Sequence, residues 1–413
     1  MSEFINNNNA RIESLLQLCR NLIQGAMSTE LIQQHQDAID HLTPNDIVQV
    51  VHCLVEENIP MEDLKSGITK FLNVCFKSIR SQAKIEVKPN HFLGILMAEN
   101  RELEKRLTAL KPIAKSINQQ KEKAALLQEF QVLKARIEDL AAFEMHYSRK
   151  ENIFFPYFER EFPEFKCLGV MWSIHDDIRK TQKLILDILD SPDLDVKELN
   201  HGLGELFFSM YTIIFREEYL LFPVALNAVS PELWDEMNQQ SDEIGYSYIA
   251  KPVFDQKNTS SRKKAFSFDG ENLDPKQLGD TLLNFDTGLM TLDQAMLLLN
   301  HLPVDITMID ENDRVRFFSK PKDRFFTRSK AIIGRSVQNC HPPESVHVVE
   351  DLLKAFRNRE KDSESFWIQM KGRFILIQYF ALRDEAGVYK GCIEVSQDVT
   401  NIRELNGEKR LMD

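Results

Sequence analysis

Two short stretches of this 413-residue chain repeat one pattern, in which a glutamate lies five residues before the proline of a Phe-Pro pair. The first covers residues 149–156 and carries Glu151, and the second covers residues 216–223 and carries Glu218. Because proline cannot continue the hydrogen-bond ladder of a helix, each Phe-Pro is expected to end one. Three histidines lie in neighbouring segments that also read as helices: His91, His146 and His175. Imidazoles and carboxylates on several helices of one bundle are typical of a dinuclear iron site.

The spacing of these residues leaves two arrangements open. Residues four apart share a face of a regular helix, and the residue four before Glu151 is Tyr147. His146, one position further back, lies about 140° from Glu151 around the helix. Either a local π-helical turn rotates His146 toward the site, or Tyr147 faces the site instead. Ile214 stands four before Glu218, so the last helix offers a carboxylate without a histidine.

The same residues also allow an interpretation without metal. The two glutamates follow Arg149 and Arg216 closely and would then be ion-paired or solvated helix residues. The histidines would be packing residues. Each residue taken singly fits this interpretation better.

Composition restricts the class of protein. The chain is 43% hydrophobic and 28% charged, as is ordinary for a globular protein, and its net charge of −12 disfavours generic binding to nucleic acid or anionic lipid. No apolar run reaches the ~20 residues that span a bilayer, and the amino terminus has no secretory signal. We therefore expect a soluble cytoplasmic protein that binds neither nucleic acid nor membrane. Its six scattered cysteines are expected to be free thiols.

Changes in periodicity divide the chain into four predicted parts. Residues 1–85 read as a small helical domain and residues 86–240 as an antiparallel four-helix bundle. Residues 241–285 are polar and read as a linker. Residues 286–405 combine two strands, a helix and a three-stranded meander, which predicts an α+β domain. The predicted bundle helices cover residues 91–110, 122–155, 171–189 and 203–222. The predicted strands cover residues 302–309, 315–318, 366–370, 374–382 and 391–399.

With these motifs in place, the chain resembles a bacterial and archaeal family that joins an N-terminal helical domain of unknown function, a hemerythrin-like bundle and a C-terminal PAS domain. In the bundle the resemblance rests on HYSRKEN (146–152), VMWSIHDDIR (170–179) and Glu217-Glu218 before Phe222-Pro223. In the last domain it rests on LPVDITMIDENDRVRFFS (302–319), GRSVQNCHPPESVHVV (334–349), SFWIQ (365–369) and EVSQDVTNIREL (394–405). One departure lies at the start of the first bundle helix, where the family usually has Gly-His-Pro and this chain has Asn90-His91-Phe92, so that the histidine is kept and its flanking residues are not.

The resemblance implies a non-haem metal site in the bundle. Its expected ligands are His91, His146, Glu151, His175 and Glu218. Di-iron is the leading metal, and zinc and manganese are alternatives. Compared with an oxygen-carrying hemerythrin, the set is poor in histidine. This favours redox or nitric-oxide sensing, a different metal or a lost site over reversible oxygen carriage.

The resemblance also implies that the PAS domain senses a small molecule or contacts another protein. His341 and His347 are the candidate axial ligands of a haem in this domain. Alternatively, His341 fixes the loop that enters the helix and His347 faces solvent. No kinase, cyclase or helix-turn-helix segment follows the PAS domain, so a signal would leave through an unknown protein partner or a PAS-mediated homodimer.

The leading hypothesis is a cytoplasmic sensor of redox state or of a diatomic gas (O2 or NO), more a signalling protein than an enzyme. In it, a non-haem metal site in the bundle is coupled to the PAS module. Two alternatives stay open. One is a di-iron enzyme that acts on nitric oxide or peroxide or in iron–sulfur repair, and the other is a metal-free interaction scaffold.

Overall fold

The structure, a computed structural model, describes residues 2–119, 123–162, 166–254, 282–285 and 287–408. The chain forms two compact units. The first consists of residues 1–253, 329–331 and 341–346, and the second of residues 254–328, 332–340 and 347–413. The first unit is helical and the second contains an antiparallel sheet, which confirms the predicted fold class. Most of the predicted linker (241–285) lies outside the described residues. Among the described helices, none has the length and apolar character needed to cross a bilayer.

The amino-terminal helices pack around apolar residues of α1. They are α1 (Ser2–Ile23), α2 (Thr29–Gln34), α3 (Gln36–Asp40), α4 (Pro44–Glu56) and α5 (Met61–Arg80). Helix α4 begins with a capping box, in which Thr43 and Asp46 each bond to the other's backbone amide. Helix α1 contacts α4 and α5 and buries Leu15, Leu18 and Leu22 completely. Burial of this apolar stripe stabilises the helices against one another.

The bundle follows directly and shares its core with the amino-terminal helices. Its helices are α6 (Phe92–Gln119), α7 (Lys123–Leu140), α8 (Glu144–Arg149), α9 (Phe155–Glu161), α10 (Leu168–Asp190), α11 (Val196–Arg216), α12 (Phe222–Ala228) and α13 (Pro231–Ile244), with a 3-10 turn at Ala141–Phe143. Helices α6 and α10 each contact both α7 and α11, so four helical rods surround a common interior. The rods are α6, α7 with α8 and α9, α10, and α11 with α12. The predicted bundle is confirmed. Helix α6 continues through Pro112, beyond the predicted end at residue 110.

Two π-helices interrupt the rods, at Lys150–Phe154 and Glu217–Leu221. The expectation that each Phe-Pro ends a helix was wrong, because α9 and α12 begin at these pairs. In each π-helix a backbone amide bonds to the carbonyl five residues back, Phe155 to Lys150 and Phe222 to Glu217. A proline ring in a regular helix clashes with the carbonyl four residues before it. The wider π-turn accommodates the proline, and the rod continues.

The second unit contains a hairpin and a five-stranded antiparallel sheet. Its elements are β1 (Leu282–Asn284), β2 (Leu289–Thr291), α14 (Leu292–His301), β3 (Asp305–Asp310), β4 (Val315–Phe318), α15 (Val346–Arg357), β5 (Ser363–Met370), β6 (Arg373–Arg383) and β7 (Tyr389–Asp398), with 3-10 turns at Val337–Cys340 and Ile402–Glu404. A further 3-10 turn, Lys330–Ile332, begins in the segment that belongs to the first unit. Strands β1 and β2 form the hairpin, and the sheet order is β4-β3-β7-β6-β5. Between β5 and β6, Lys371 and Gly372 have φ of 51° and 73°, as a two-residue hairpin turn requires. The predicted strands and helix are confirmed, with ends that differ by a few residues.

Gly391 is required where β7 passes β3. Its φ is 139°, and a Cβ at this position would lie 2.1 Å from the carbonyl oxygen of Ile309. We expect Gly391→Ala to lower the free energy of unfolding by at least about 2 kcal/mol, because backbone would have to move. Gly288→Ala is the matched control, since a Cβ there meets nothing within 4 Å. Denaturant unfolding of both full-length variants checks this, and equal effects would contradict it.

Candidate functional site

Charged side chains gather inside the bundle at the level of the two π-helices. We call this group the buried ionic cluster. Its members, each at most 5% exposed, are Glu99, Asn100, His146, Arg149, Lys150, Glu151, His175, Glu217 and Glu218. The cluster brings together four of the five residues expected to bind metal, namely His146, Glu151, His175 and Glu218.

The fifth expected ligand, His91, lies outside the cluster, directly before α6. Its ring packs against Trp234 with 5.0 Å between ring centroids. Its Nδ1 lies 3.2 Å from the backbone amide of Leu93 and accepts that hydrogen bond. Burial lowers the pKa of His91, and Asp235 opposes this shift. In this structure His91 therefore caps the first turn of α6.

The π-helix at Lys150–Phe154 follows His146 and Tyr147, either of which was expected to face the site. Both side chains are buried. The ring of His146 lies between two cluster carboxylates. The ring of Tyr147 stacks on His175 with 4.4 Å between centroids. Its hydroxyl has no hydrogen-bond partner among the described residues, and burial raises its pKa. The interior therefore contains both side chains.

Lys150 lies at the middle of the cluster and is not among the residues that the sequence predicted for the site. Its Nζ donates a hydrogen bond to Oε1 of Glu217 and lies 2.8 Å from Nε2 of His175. The side chain has no exposed surface. Burial lowers the pKa of Lys150, while Glu217 acts in the opposite direction. A positive charge here is thus stabilised by one carboxylate and one imidazole.

His175 connects Lys150 to the outer part of the cluster. Its Nδ1 lies 2.7 Å from Oε1 of Glu151, whose Oε2 accepts from Arg179 at 3.0 Å. Burial, and next the charge of Lys150, hold the pKa of His175 well below its usual value. The ring is therefore neutral, with Nδ1–H donating to Glu151 and Nε2 accepting from Lys150.

His146 holds the opposite side of the cluster. Its Nδ1 lies 2.8 Å from Oε2 of Glu99 and its Nε2 lies 3.3 Å from Oε2 of Glu217. Its backbone amide donates to Oγ of Ser247 at 3.0 Å, and the amide of Ser247 donates to Oε1 of Glu99 at 2.6 Å. Arg149 also donates to Glu99. The ring is thus fixed between carboxylates from the first and last bundle rods.

All eight carboxylate oxygens of the four cluster glutamates accept hydrogen bonds from the protein. Glu217 accepts from Asn100 at 2.9 Å as well as from its lysine and histidine neighbours. Glu218 accepts from Arg101, from Asn100 at 3.3 Å and from Lys84 at 3.3 Å. Burial alone would raise the pKa of Glu217, but the nearby charges outweigh burial and lower it. The negative charge of the cluster is therefore compensated by the protein's own cations.

The repeated sequence pattern explains why the lysine and Glu217 meet. When the two stretches are aligned at Phe-Pro, Lys150 corresponds to Glu217 and Glu151 corresponds to Glu218. If position 150 were a glutamate, as position 217 is, these two positions would give a pair of carboxylates. This chain has an ammonium and a carboxylate there, and they bind each other. The repeat therefore contains a signal for Lys150, because the alignment that pairs Glu151 with Glu218 also pairs Lys150 with Glu217.

The residues of the cluster fit a metal in type but not in arrangement. Two imidazoles and four carboxylates on the rods of one bundle are the usual donor set of a di-iron carboxylate site. However, each carboxylate oxygen already has a protein donor, and in the described residues the cluster has no three ligand atoms within 4.8 Å of one another. The group that meets this criterion is Glu62, Asp177 and Glu344, and Lys65 already pairs with the first two.

The two histidines predicted to bind haem, His341 and His347, differ in exposure. His347 is exposed in the first turn of α15, and His341 is half-buried in the segment before that helix. In the described part of the domain, the buried core consists of Ile309, Val315, Phe318, Ile332, Leu352, Leu353, Phe356 and Cys392. Haem ligation by His341 or His347 stays a prediction.

Comparisons with known families identify both domains. Residues 91–225 match the family model of the hemerythrin HHE cation binding domain, and residues 296–400 match that of a PAS domain. The first match supports a cation site in the bundle, typically for iron, and leaves the identity of the cation open. The two domains together support a role as a sensor or signalling protein. No curated protein matches the chain.

Solved structures resemble parts of the chain. A C-terminal domain from Streptococcus mutans is 32% identical, with 31% of this chain and 99% of that chain covered and a TM-score of 0.30. The PAS domain of a protein from Colwellia psychrerythraea is 18% identical (27% and 98% covered, TM-score 0.22). A sensory box sensor histidine kinase from Vibrio cholerae is 14% identical (26% and 90% covered, TM-score 0.21).

The neutral His175 should make stability depend on pH. Its folded pKa lies below the unfolded value of about 6.5, so the unfolded chain takes up the proton first as pH falls. We expect the free energy of unfolding to decrease by about 1 kcal/mol between pH 7 and pH 5.5 because of this residue. Denaturant unfolding at several pH values should show a smaller decrease in His175→Gln.

His201→Gln is the control, because the side chain of His201 is 75% exposed on α11. It should keep the slope of the wild-type protein. A His175→Gln protein with the wild-type slope would show that His175 does not titrate in this range.

Proposed function

We propose that this chain, which belongs to the proteins that join a hemerythrin HHE bundle to a PAS domain, is a signalling protein whose bundle functions without a bound metal. The observation that supports this is the buried ammonium of Lys150, held between Glu217 and His175. It stands at the position where the repeated pattern would place a second carboxylate. In this proposal the ammonium group of Lys150 takes the place of the metal cation that this fold would otherwise bind.

The electrostatics of the cluster favour this interpretation. Four glutamates carry the negative charge, and five basic side chains bond to them: Lys84, Arg101, Arg149, Lys150 and Arg179. A multivalent metal ion would add positive charge to a group that is already compensated. Unpaired buried charge is strongly unfavourable, so such an ion would have to displace a protein cation.

A compensated network of this kind is suited to switching. Removing one partner of a buried ion pair costs about 3–5 kcal/mol, a large part of the roughly 5–15 kcal/mol that stabilises a domain. An event that changes one contact can therefore shift the bundle between two packed states. The cluster joins all four rods, so such a shift would be transmitted to the surface of the bundle. The PAS domain would pass the signal to a protein partner.

The variant Lys150→Met tests the role of the lysine. It keeps an unbranched side chain of similar length and removes the ammonium, which leaves Glu217 without its closest cation. In the presence of a chelator we expect the free energy of unfolding to fall by about 3–5 kcal/mol. Ferrous iron or zinc should restore part of this loss in Lys150→Met and should leave the melting temperature of the wild-type protein unchanged.

Lys134→Met is the matched control, because Lys134 pairs with Asp190 on the outside of the bundle. It should change stability by less than about 1 kcal/mol and should not respond to metal. If Lys150→Met were as stable as the wild type with chelator present, the ammonium would not be the cation that the cluster needs.

A second candidate is the redox or gas sensor with a non-haem iron site. The observation in its favour is the donor set, since His146, His175 and four glutamates are all buried in one interior. Iron supplies reversible electron transfer and binding of a diatomic gas when such residues hold it. His146, Glu151, His175 and Glu218 are the proposed ligands in this case. Lys150 would then have to leave Glu217.

Metal analysis separates the two candidates. The full chain is purified without oxygen from iron-supplied cells, and its metal content is measured by mass spectrometry. The metal-free proposal expects less than about one iron per ten chains in the wild-type protein and an increase in Lys150→Met. One or two irons per wild-type chain, lost in His175→Ala and Glu218→Ala together, would overturn that proposal and support the iron sensor.

A further inference from the structure

A cleft of about 740 Å³ lies in the first unit, between α5 and the helices α6 and α11. We call it the basic aromatic cleft. The lining residues that define it are Phe76, Phe208, Tyr211, Phe215, Tyr219, Arg80, Lys84, Arg101 and Lys111. Its volume is within the range of small-molecule sites, about 300–1,000 Å³.

Aromatic rings form one wall of the cleft. Phe76 stacks on Phe215 with 5.2 Å between centroids, and Phe215 stacks on Tyr219 with 5.0 Å. Phe76 and Phe208 are 39% and 53% exposed, although large apolar rings are normally buried. Phe208, the more exposed of the two, offers a face on which a planar ring can stack, beside the stack that Phe76 forms with Phe215.

Cations lie directly over these rings. The Nζ atoms of Lys84 and Lys111 are 4.8 Å from the ring centroids of Tyr219 and Tyr211, and the guanidinium of Arg80 is 5.7 Å from that of Phe76. A ligand that stacks on the rings would therefore bring any attached anionic group beside a positive charge.

The charge of the cleft is unbalanced. Four cations line it, against two carboxylates, and both carboxylates (Glu104 and Glu218) pair with Arg101. Arg80 and Lys111 have no carboxylate partner among the described residues. This positive cleft belongs to a chain with a net charge of −12, so its cations are not a general surface property.

We propose that the basic aromatic cleft binds a planar aromatic anion, a ring system that carries phosphate or carboxylate. The ring stacks on the aromatic wall, and the anionic group bonds to Arg80 and Lys111. Guanidinium and ammonium groups both donate to such oxygens, and charge assistance makes these bonds strong.

The cleft also reaches the buried ionic cluster. Glu218 lines the cleft although it is only 2% exposed, and the lining residues Arg101 and Lys84 both bond to it. A bound anion would compete with Glu218 for these cations. Occupancy of the cleft would in this way change a contact of the cluster, whether or not a metal is present.

Calorimetric titration of the full chain with two anionic probes tests the proposal. The probes are AMP and 1-naphthyl phosphate, and their neutral counterparts adenosine and 1-naphthol lack only the phosphate. We expect one saturable site per chain, with at least about tenfold tighter binding of the phosphate-bearing member of each pair. Absence of saturable binding by both phosphates, or equal binding of the neutral counterparts, would overturn the proposal.

Paired variants locate the site. The double variant Arg80→Ala, Lys111→Ala should weaken binding of both phosphates about tenfold or more. The matched control is Lys77→Ala, Lys115→Ala, which removes two exposed cations from α5 and α6 that do not line the cleft. An equal loss in both double variants would indicate general attraction to positive charge. If neither double variant changed binding, the probes would bind elsewhere, which would contradict the proposal. A dimer of the full chain that dissociates in Phe208→Ala would show that a second copy covers the cleft, and this result would also contradict it.

Discussion

The ion pair between Lys150 and Glu217 is the contact on which the interior of the bundle depends, because neither side chain reaches water. A buried pair is tolerated only when further hydrogen bonds satisfy both partners. His175 provides this for the lysine, and Asn100 and His146 provide it for the glutamate. These residues come from all four rods. The position of each rod is therefore constrained by the need to satisfy one pair of charges.

Backbone geometry supports the same arrangement. The π-helices place Lys150 and Glu217 in the first turn after α8 and α11, and both prolines follow within one further turn. A wide turn rotates the residues that follow it relative to those before it. Consecutive residues such as Glu217 and Glu218 can then both be buried, which a regular helix on a bundle surface rarely allows. The cost of burying them is offset by the cations that surround them.

The cluster is connected to the outside through Glu218. Its carboxylate is buried, but two of its donors, Arg101 and Lys84, lie on the wall of the basic aromatic cleft. Charges at the surface and in the interior thus share bonding partners. This connection gives the first unit a physical route by which a bound anion could influence the packing of the rods, independent of the chemistry of any metal.

The sequence by itself determined the rods, the strands and the family, since helical and alternating periodicity and turn residues such as Lys371-Gly372 act over a few positions. It also placed imidazoles and carboxylates on the right helices. Only the tertiary structure decided that Lys150 points inward, that His146 and Tyr147 are both buried and that His91 caps a helix instead. The partners of Lys150 lie 25 and 67 residues away, and no local pattern specifies which distant group a side chain will meet. Burial of a charge is decided by those partners, so it becomes known only when the rods are packed.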